Sequence, residues 1–212
     1  MKLNYYILIL LLITGNITQA ANSLNLPDIG DSSGSAISPE LERRLGLAFM
    51  RSVRQHATII DDPEVEIYIE SIGYQLASIS DNNSLAFTFI VVDSPDINAF
   101  AAPGGVIGIN SGTILNARNE SELAGVLAHE IAHVTQRHMA RQFERAGQFS
   151  LPAAAALLGA ILIGIADSEA GAATLAVVTG ASVQSQINFT RANEVEADSV
   201  GMQLLARSGY DP

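Results

Sequence analysis

The sequence contains no cysteine among its 212 residues, so disulfide bonds cannot stabilise the fold. A hydrophobic core must do so, and a bound metal ion is the other available source of stability. The length accommodates one domain with a proper core and a short attachment, and it argues against two full domains.

Basic residues are also scarce. Lys2 is the single lysine, and 22 acidic residues outnumber 11 basic ones, which gives a formal net charge of −11 at pH 7. Such a surface repels phosphate backbones, and this argues against nucleic acid as a partner.

The apolar run at the N-terminus is too short to cross a membrane. It extends from Tyr5 to Ile13, well short of the ~20 residues that span a bilayer. Lys2 precedes the run, and small or polar residues follow it as far as Ala20, which is typical of a cleavable secretory signal. Residues 1–20 are therefore predicted to be a signal peptide that directs the protein to the bacterial periplasm, with an uncleaved membrane anchor as the alternative.

Helical and strand patterns alternate in residues 39–212, which we interpret as one domain. Residues 21–38 before it are rich in Ser, Gly, Asn and Asp and predict a flexible lead-in. Ser38-Pro39 and Asp62-Pro63 each place an N-cap before a proline at the first helical position. These pairs predict the starts of two helices, the second of which reaches about Ser80.

Between Leu85 and Gly112 the hydrophobic period changes to two, which predicts a small sheet. The segment "LAFTFIVVD" is predicted to be a strand, and "INAFAAPGGVIGINSG" a strand, a Pro-Gly-Gly turn and a second strand. Asn98 to Ala102 is a candidate exposed edge that can hold an extended peptide, with an ordinary core strand as the alternative. The predicted fold class is thus a mainly helical α+β domain with a small β-sheet.

Two further helices flank an apolar segment in the C-terminal half. Asn119 caps the first in capping-box style with Glu122, and the helical pattern then runs unbroken through "HVTQRHMARQFERA". The last helix is predicted to open after Thr190 and to end at Gly209. Between them, residues 151–183 are almost free of charge and predict two short helices packed as a hairpin, with a membrane-contacting hairpin as the alternative.

An HExxH motif, formed by His129, Glu130 and His133, lies within the first of these helices. Residues four apart share a helix face, so both imidazoles can bind one ion. Glu130, one position round, can take a proton from water without ligating the ion. Zinc takes neutral nitrogen ligands in a tetrahedral arrangement, and a catalytic zinc site keeps one position open. The alternative is that the two histidines cap or cross-link a buried helix face.

Two histidines and a water leave a zinc ion one protein ligand short. In the last helix Glu194 and Asp198 share a face, so Glu194 can complete the site while Asp198 holds an imidazole N–H. Glu196 points elsewhere, and the alternative for all three acids is a solvated surface turn. The remaining histidines, His56 and His138, are predicted to be surface residues, His138 because it lies five residues past the motif.

The segment "AHEIAHVTQRH", followed after the apolar stretch by "NFTRANEVEADSVGMQLLARSGYDP", resembles the zinc metallopeptidases related to the CAAX prenyl endopeptidases, and in particular a secreted bacterial branch of that family. "INAFAAPGGVIGINSG" also resembles the segment ahead of the family's metal helix. The resemblance implies a zincin-like fold with one Zn²⁺ per chain. It implies three zinc ligands, His129, His133 and Glu194. It also implies that Glu130 is the general base and that Asp198 is a hydrogen-bond acceptor outside the ligand set.

The resemblance further implies a periplasmic zinc-dependent endopeptidase that acts on misfolded or stalled outer-membrane proteins, with the outer-membrane β-barrel assembly machinery as a candidate partner. Two alternatives are a chaperone-like client-binding module with a structural zinc and a membrane-associated peptidase that contacts lipid through residues 151–183. Glu130 argues against the first, because a structural site needs no base. Members of the branch continue past the equivalent of Pro212 with further helices and a tetratricopeptide repeat domain, so a fragment and a short relative both fit the sequence.

Overall fold

The computed structural model describes residues 38–80, 85–145, 159 and 183–212 of the protein. The predicted signal peptide, and almost all of the predicted lead-in and apolar hairpin, lie outside the described residues. The predicted fold class, mainly helical α+β with a small β-sheet, is confirmed. In chain order the elements are α1 (Pro39–His56), α2 (Pro63–Ser78), β1 (Thr88–Val92), β2 (Ala99–Ala102), a 3-10 turn (Pro103–Gly105), β3 (Val106–Asn110), α3 (Ser111–Asn116), α4 (Glu120–Thr135), α5 (His138–Arg145) and α6 (Val183–Arg207).

The first two helices begin where the sequence predicts. The Ser38 hydroxyl accepts the N–H of Leu41 at 3.3 Å, and the Asp62 carboxylate accepts that of Glu64 at 2.9 Å. In each case a proline follows the cap at a position where a missing N–H costs no intrahelical hydrogen bond. Among the described helices, none has both the length and the apolar composition needed to cross a bilayer.

The three strands form one mixed sheet in the order β1-β3-β2, with β1 parallel and β2 antiparallel to β3. The turn between β2 and β3 requires glycine, because Gly104 and Gly105 have φ of 75° and 79°. A Cβ on Gly105 would also overlap the carbonyl oxygen of Ala86. Among the described residues β2 pairs with β3 alone, so four of the five residues of the candidate edge, Asn98 to Ala102, lie in a strand at an edge of the sheet.

Helices cover both faces of this sheet. Successive strand residues face opposite sides, and the strands carry buried apolar residues on both of them. One face packs against α2, α4 and the C-terminal part of α6 through buried apolar residues that include Phe89, Val91, Ile107, Ile109, Leu123, Leu127 and Leu204. The other face packs against α1 through Phe49, Met50, Val53, Ile90, Val92 and Val106. This packing holds the HExxH helix, α4, against β2.

The helix that was predicted to run unbroken past the HExxH motif is interrupted, so that prediction was wrong. α4 ends at Thr135, α5 begins at His138, and Arg137 between them has φ of 52°. No glycine or proline marks the break. Arg137 instead donates two hydrogen bonds, from Nε at 3.2 Å and from a terminal nitrogen at 2.6 Å, to Oε1 of Glu42 on α1. The break therefore accompanies a tertiary contact that no local pattern encodes.

The ends of α6 were predicted with mixed success. The helix begins at Val183 rather than after Thr190, because residues 183–190 contain no glycine or proline to delay its start. It ends at Arg207, and Gly209 has φ of 85°, which confirms the predicted stop. The short helix α3 had not been predicted.

Candidate metal centre

α4 carries the two histidines of the HExxH motif on one face. The Nε2 atoms of His129 and His133 lie 3.0 Å apart, because the residues are one helical turn apart and their rings converge. Both side chains are partly buried, with 27% and 18% of their surfaces exposed. They present two nitrogen atoms to one point in the wall of a cavity of about 610 Å³.

Glu194 reaches the same point from α6. Its Oε2 lies 3.3 Å from Nε2 of His129 and 3.7 Å from Nε2 of His133. The ligand atoms of the three residues all lie within 4.8 Å of one another. Two imidazole nitrogens and one carboxylate oxygen are a donor set found in catalytic zinc sites, so these residues fit a zinc ion with a fourth position left for water.

A glycine allows α6 to approach α4 closely enough for this convergence. A Cβ on Gly201 would lie 3.1 Å from the backbone nitrogen of His129 and 3.2 Å from the carbonyl of Ala128. Gly201 lies seven residues after Glu194, about two helical turns, and so faces α4 from the same side of α6. The close helix contact therefore sets the distance from Glu194 to the two histidines.

Asp198, one turn after Glu194, contacts the outer side of His129. Its Oδ1 lies 2.9 Å from Nδ1 of the ring. An acceptor at Nδ1 keeps the imidazole proton there and leaves the Nε2 lone pair directed toward the cluster. The structure thus brings the sequence-predicted acids Glu194 and Asp198 to the HExxH histidines, each at a different ring nitrogen.

The electrostatics of the cluster favour an ionised Glu194. The hydrogen-bond contacts with the imidazoles of His129 and then of His133 hold the pKa of the Glu194 carboxyl well below its usual range. Hydrogen bonding to Glu194 in turn raises the pKa of His129, while burial of the ring opposes that change. An ionised carboxylate is the form that binds a cation.

Glu130 lies beside both the histidines and β2. Its carboxylate accepts a hydrogen bond from the backbone of Ala101 in β2. Burial raises the pKa of Glu130, and the nearby rings of His133 and His129 partly counteract that effect. Glu130 and Ala101 both line the cavity described above. The structure therefore places an acid with a raised pKa next to the edge strand β2.

The prediction that His138 lies on the surface was wrong. The residue is 4% exposed, and its Nδ1 lies 2.8 Å from Nδ1 of His133. Its Nε2 lies 3.3 Å from Oε2 of Glu196, which also accepts a hydrogen bond from Arg141 at 2.6 Å. On a continuous helix, five residues correspond to about 500° of rotation, which would turn the ring away. The break at Arg137 turns it back, and burial lowers the pKa of His138 to about 4.

The predicted placements of His56 and Glu196 agree with the structure. His56 is exposed, and its Nδ1 lies 2.8 Å from the carbonyl oxygen of Ser52 in the preceding turn of α1. Glu196 does not face the Glu194 cluster and instead pairs with His138 and Arg141. One feature of the sequence could have indicated that His138 belongs to the centre: it is the third histidine within ten residues.

The model of peptidase family M48 matches residues 63–212. A putative beta-barrel assembly-enhancing protease of Vibrio cholerae is 44% identical over 188 residues, which cover 89% of this chain and 39% of the relative. The beta-barrel assembly-enhancing protease of Escherichia coli K12 is 41% identical over 187 residues, which cover 88% of this chain and 38% of the relative. A mitochondrial metalloendopeptidase OMA1 of Arabidopsis thaliana is 28% identical over 154 residues, which cover 73% of this chain and 29% of the relative.

The family match includes both helices that carry the metal cluster, α4 and α6. The chain spans about two-fifths of the length of the bacterial relatives. The predicted resemblance to a bacterial metallopeptidase branch is confirmed by the family match and by the identities of 44% and 41%. The chain therefore belongs to peptidase family M48.

Proposed function

We propose that this chain is a zinc-dependent endopeptidase domain that binds one zinc ion through His129, His133 and Glu194. The observation that carries the proposal is the convergence of these three side chains from two helices, with Glu130 beside them. A structural zinc site is usually closed by four protein ligands. Three ligands next to a carboxylate that can act as a base match a catalytic site instead.

Each polar residue of the centre has its own task in this proposal. Zinc, when bound, polarises the scissile carbonyl and lowers the pKa of water. Glu130 accepts the proton of the attacking water and returns it to the leaving amine nitrogen. Burial raises its pKa, the direction that suits a carboxylate that must both accept and release a proton. Asp198 keeps His129 in the tautomer that directs Nε2 to the cluster.

The substrate chain is proposed to lie along the outer edge of β2. Asn110 N–H donates to the carbonyl of Asn98 at 3.0 Å, so these residues form a hydrogen-bonded pair. Hydrogen-bonded pairs alternate along an antiparallel ladder, so Ala99 and Ala101 direct their backbone groups away from β3. An extended peptide can pair with this edge through main-chain hydrogen bonds and with little regard to its sequence. That pairing would bring its backbone beside Glu130.

The proposed substrates are unfolded or misassembled outer-membrane proteins in the periplasm. The names of the bacterial relatives support this choice, since both refer to beta-barrel assembly. Strand pairing at β2 also supports it, because a closed barrel has no free strand edge whereas an unassembled chain does. In this proposal the signal peptide of residues 1–20 exports the protein, and the β-barrel assembly machinery is a candidate partner. Residues 151–183, almost all of which lie outside the described residues, would serve as a flap or a client contact.

Replacing Glu130 with glutamine tests the peptidase mechanism. The amide keeps the size of the side chain but cannot accept the proton, so we expect cleavage of unfolded casein to fall by about 100-fold or more. Zinc content should stay at about one ion per chain, because Glu130 is not a ligand. Glu66→Gln, at an exposed position of α2, is the control and should cleave casein normally. Unchanged cleavage by the zinc-loaded Glu130→Gln variant would contradict the mechanism and favour a client-binding module.

A second variant tests whether the two helices form one site. Glu194→Ala removes the only carboxylate oxygen of the three-residue cluster. We expect this variant to lose zinc, because two histidines alone leave the ion with too few protein ligands. Metal analysis of the purified protein measures the loss. Full zinc retention in Glu194→Ala would show that the ligands have been misassigned.

A further inference from the structure

We propose that His138 is a positioning residue that orients the zinc ligand His133, and that Glu196 orients His138 in turn. The inference rests on the proposed function, since it concerns the same zinc site. It stands on three contacts: 2.8 Å from His133 Nδ1 to His138 Nδ1, 3.3 Å from His138 Nε2 to Glu196 Oε2, and 2.6 Å from Arg141 to the same Glu196 oxygen.

These contacts permit one consistent assignment of protons. Nε2 of His133 faces the metal cluster and must offer a lone pair, so the proton of the ring lies on Nδ1. The Nδ1 atom of His138 lies within hydrogen-bond distance of Nδ1 of His133 and must therefore accept the hydrogen bond that this N–H donates. The proton of His138 is then on Nε2, which faces the carboxylate of Glu196. Every ring nitrogen along this chain thus has a defined role.

The arrangement parallels the support of the other histidine ligand. His129 presents its Nδ1 to Asp198, and His133 presents its Nδ1 to His138. The two acceptors differ in environment: the Asp198 side chain is 71% exposed, whereas the side chain of His138 is 5% exposed. A neutral imidazole is the less costly acceptor in the buried position, because an isolated buried carboxylate carries a large desolvation penalty.

The backbone supplies a second, independent observation. Arg137, the residue just before His138, is the sole non-glycine residue with positive φ in the described part of the chain. A non-glycine residue in this conformation costs free energy, and such strain collects at functional sites. Without the turn at Arg137, a continuous helix would carry the His138 ring about 140° away from His133. The strained turn is what brings the buried ring to the ligand.

The rival explanation is that His138 only fills space in the core. The two explanations rank two substitutions in opposite orders. His138→Phe keeps a ring of similar shape but has no acceptor for His133. His138→Asn leaves a smaller side chain, yet its amide oxygen can accept a hydrogen bond close to the former position of Nδ1. If His138 positions His133, His138→Asn should bind zinc more tightly than His138→Phe. If His138 only fills space, His138→Phe should bind zinc more tightly.

Zinc affinity, measured by competition with a chromogenic chelator on the full chain, decides between them. We expect His138→Phe to bind zinc about 10- to 100-fold more weakly than wild type, as for other lost hydrogen-bond partners of metal-ligating histidines. His138→Asn should stay within about threefold of wild type. The absorption bands of the cobalt-substituted protein should change in His138→Phe and persist in His138→Asn. Equal or tighter zinc binding by His138→Phe compared with His138→Asn overturns the proposal.

Glu196→Ala keeps the test decisive should circular dichroism show that His138→Phe is unfolded. The Glu196 side chain is 38% exposed, so its truncation leaves the core intact. We expect this variant to bind zinc more weakly than Glu66→Ala, the matched change of an exposed acid on α2. Equal zinc affinity in the two variants overturns the proposal. A wild-type protein that binds no zinc overturns the metal site itself, and zinc binding without casein cleavage overturns the peptidase function but leaves the role of His138 measurable.

Discussion

The Nδ1 atom of His129 lies 2.9 Å from Oδ1 of Asp198, although 69 positions separate the two residues in the chain. Because the Asp198 side chain is 71% exposed, a substitution there tests this contact rather than core packing. We expect Asp198→Ala to weaken zinc binding by about 10- to 100-fold, since His129 loses the acceptor that orients it. Chelator competition measures the change. Ser199→Ala, at the neighbouring exposed position of α6, is the control, and the same affinity in both variants would refute a positioning role.

The close approach of α6 to α4 at Gly201 can be tested with a matched pair of glycines. Gly201→Ala places a methyl group 3.1 Å from the backbone nitrogen of His129, so we expect a loss of about 1–3 kcal/mol in the free energy of unfolding. Zinc affinity should fall too, because the helix that carries Glu194 must move. Gly125→Ala on α4 meets only the Leu205 side chain at 3.7 Å and should raise stability by up to about 1 kcal/mol. Urea unfolding of both variants checks the prediction, which fails if the two changes have the same sign.

Substrate pairing at β2 predicts a specific effect of proline at Ala99. The Ala99 N–H points away from β3, so Ala99→Pro removes an edge donor and leaves the β2–β3 ladder intact. We expect kcat/KM for a peptide substrate to fall by about 3- to 10-fold, the effect of one net hydrogen bond. Zinc content should not change. Ala99→Ser keeps the N–H and should retain activity, and equal kcat/KM values in the two variants would exclude main-chain pairing at this position.

Removing the metal should destabilise the fold, because zinc would join α4 to α6. We expect a chelator to lower Tm, and free zinc at about 100 times its Kd to restore about 2.7 kcal/mol of stability. Magnesium should not substitute, because it binds oxygen-rich sites rather than histidine nitrogens. Glu194→Ala should show no change in Tm with the chelator. A chelator effect of equal size in that variant would mean that the ion lies elsewhere.

The start of α4 gives stability a predictable dependence on acid. Glu122 accepts hydrogen bonds from the backbone N–H of Arg118 at 2.9 Å and from its Nε at 2.8 Å, and these hydrogen bonds lower the pKa of Glu122 from its usual value. A lowered folded-state pKa stabilises the protein above the unfolded-state value, and the contribution disappears as pH falls through the folded-state pKa. We therefore expect the Tm of Glu122→Gln to fall less than the Tm of wild type when the pH is lowered from about 5 to about 3. Thermal unfolding at several pH values, with Glu66→Gln as the control, checks this prediction. An equal fall of Tm in wild type and Glu122→Gln over the acidic range would contradict it.

Features that act within one helical turn could be predicted from the sequence. Ser38 and Asp62 cap the helices whose starts were predicted from them, because a cap bonds a backbone N–H two or three residues away. The spacing of His129 and His133 likewise places their Nε2 atoms close together on any regular helix. The predicted strand edge at Asn98 to Ala102 stayed one of two alternatives, since an alternating pattern does not reveal how strands are ordered in a sheet.

The sequence by itself determined the starts of α1, α2 and α4, the small sheet and the pairing of two imidazoles on α4, because each depends on contacts between near neighbours. Only the tertiary structure decided that Glu194 and Asp198 meet opposite sides of His129, and that His138 is buried against His133. The reason is energetic. Positive φ at Arg137 is locally unfavourable for a residue other than glycine, so contacts elsewhere in the fold must offset its cost. Here those contacts come from Glu42 and Glu196, 95 and 58 positions away from Arg137 and His138, and no local pattern specifies them.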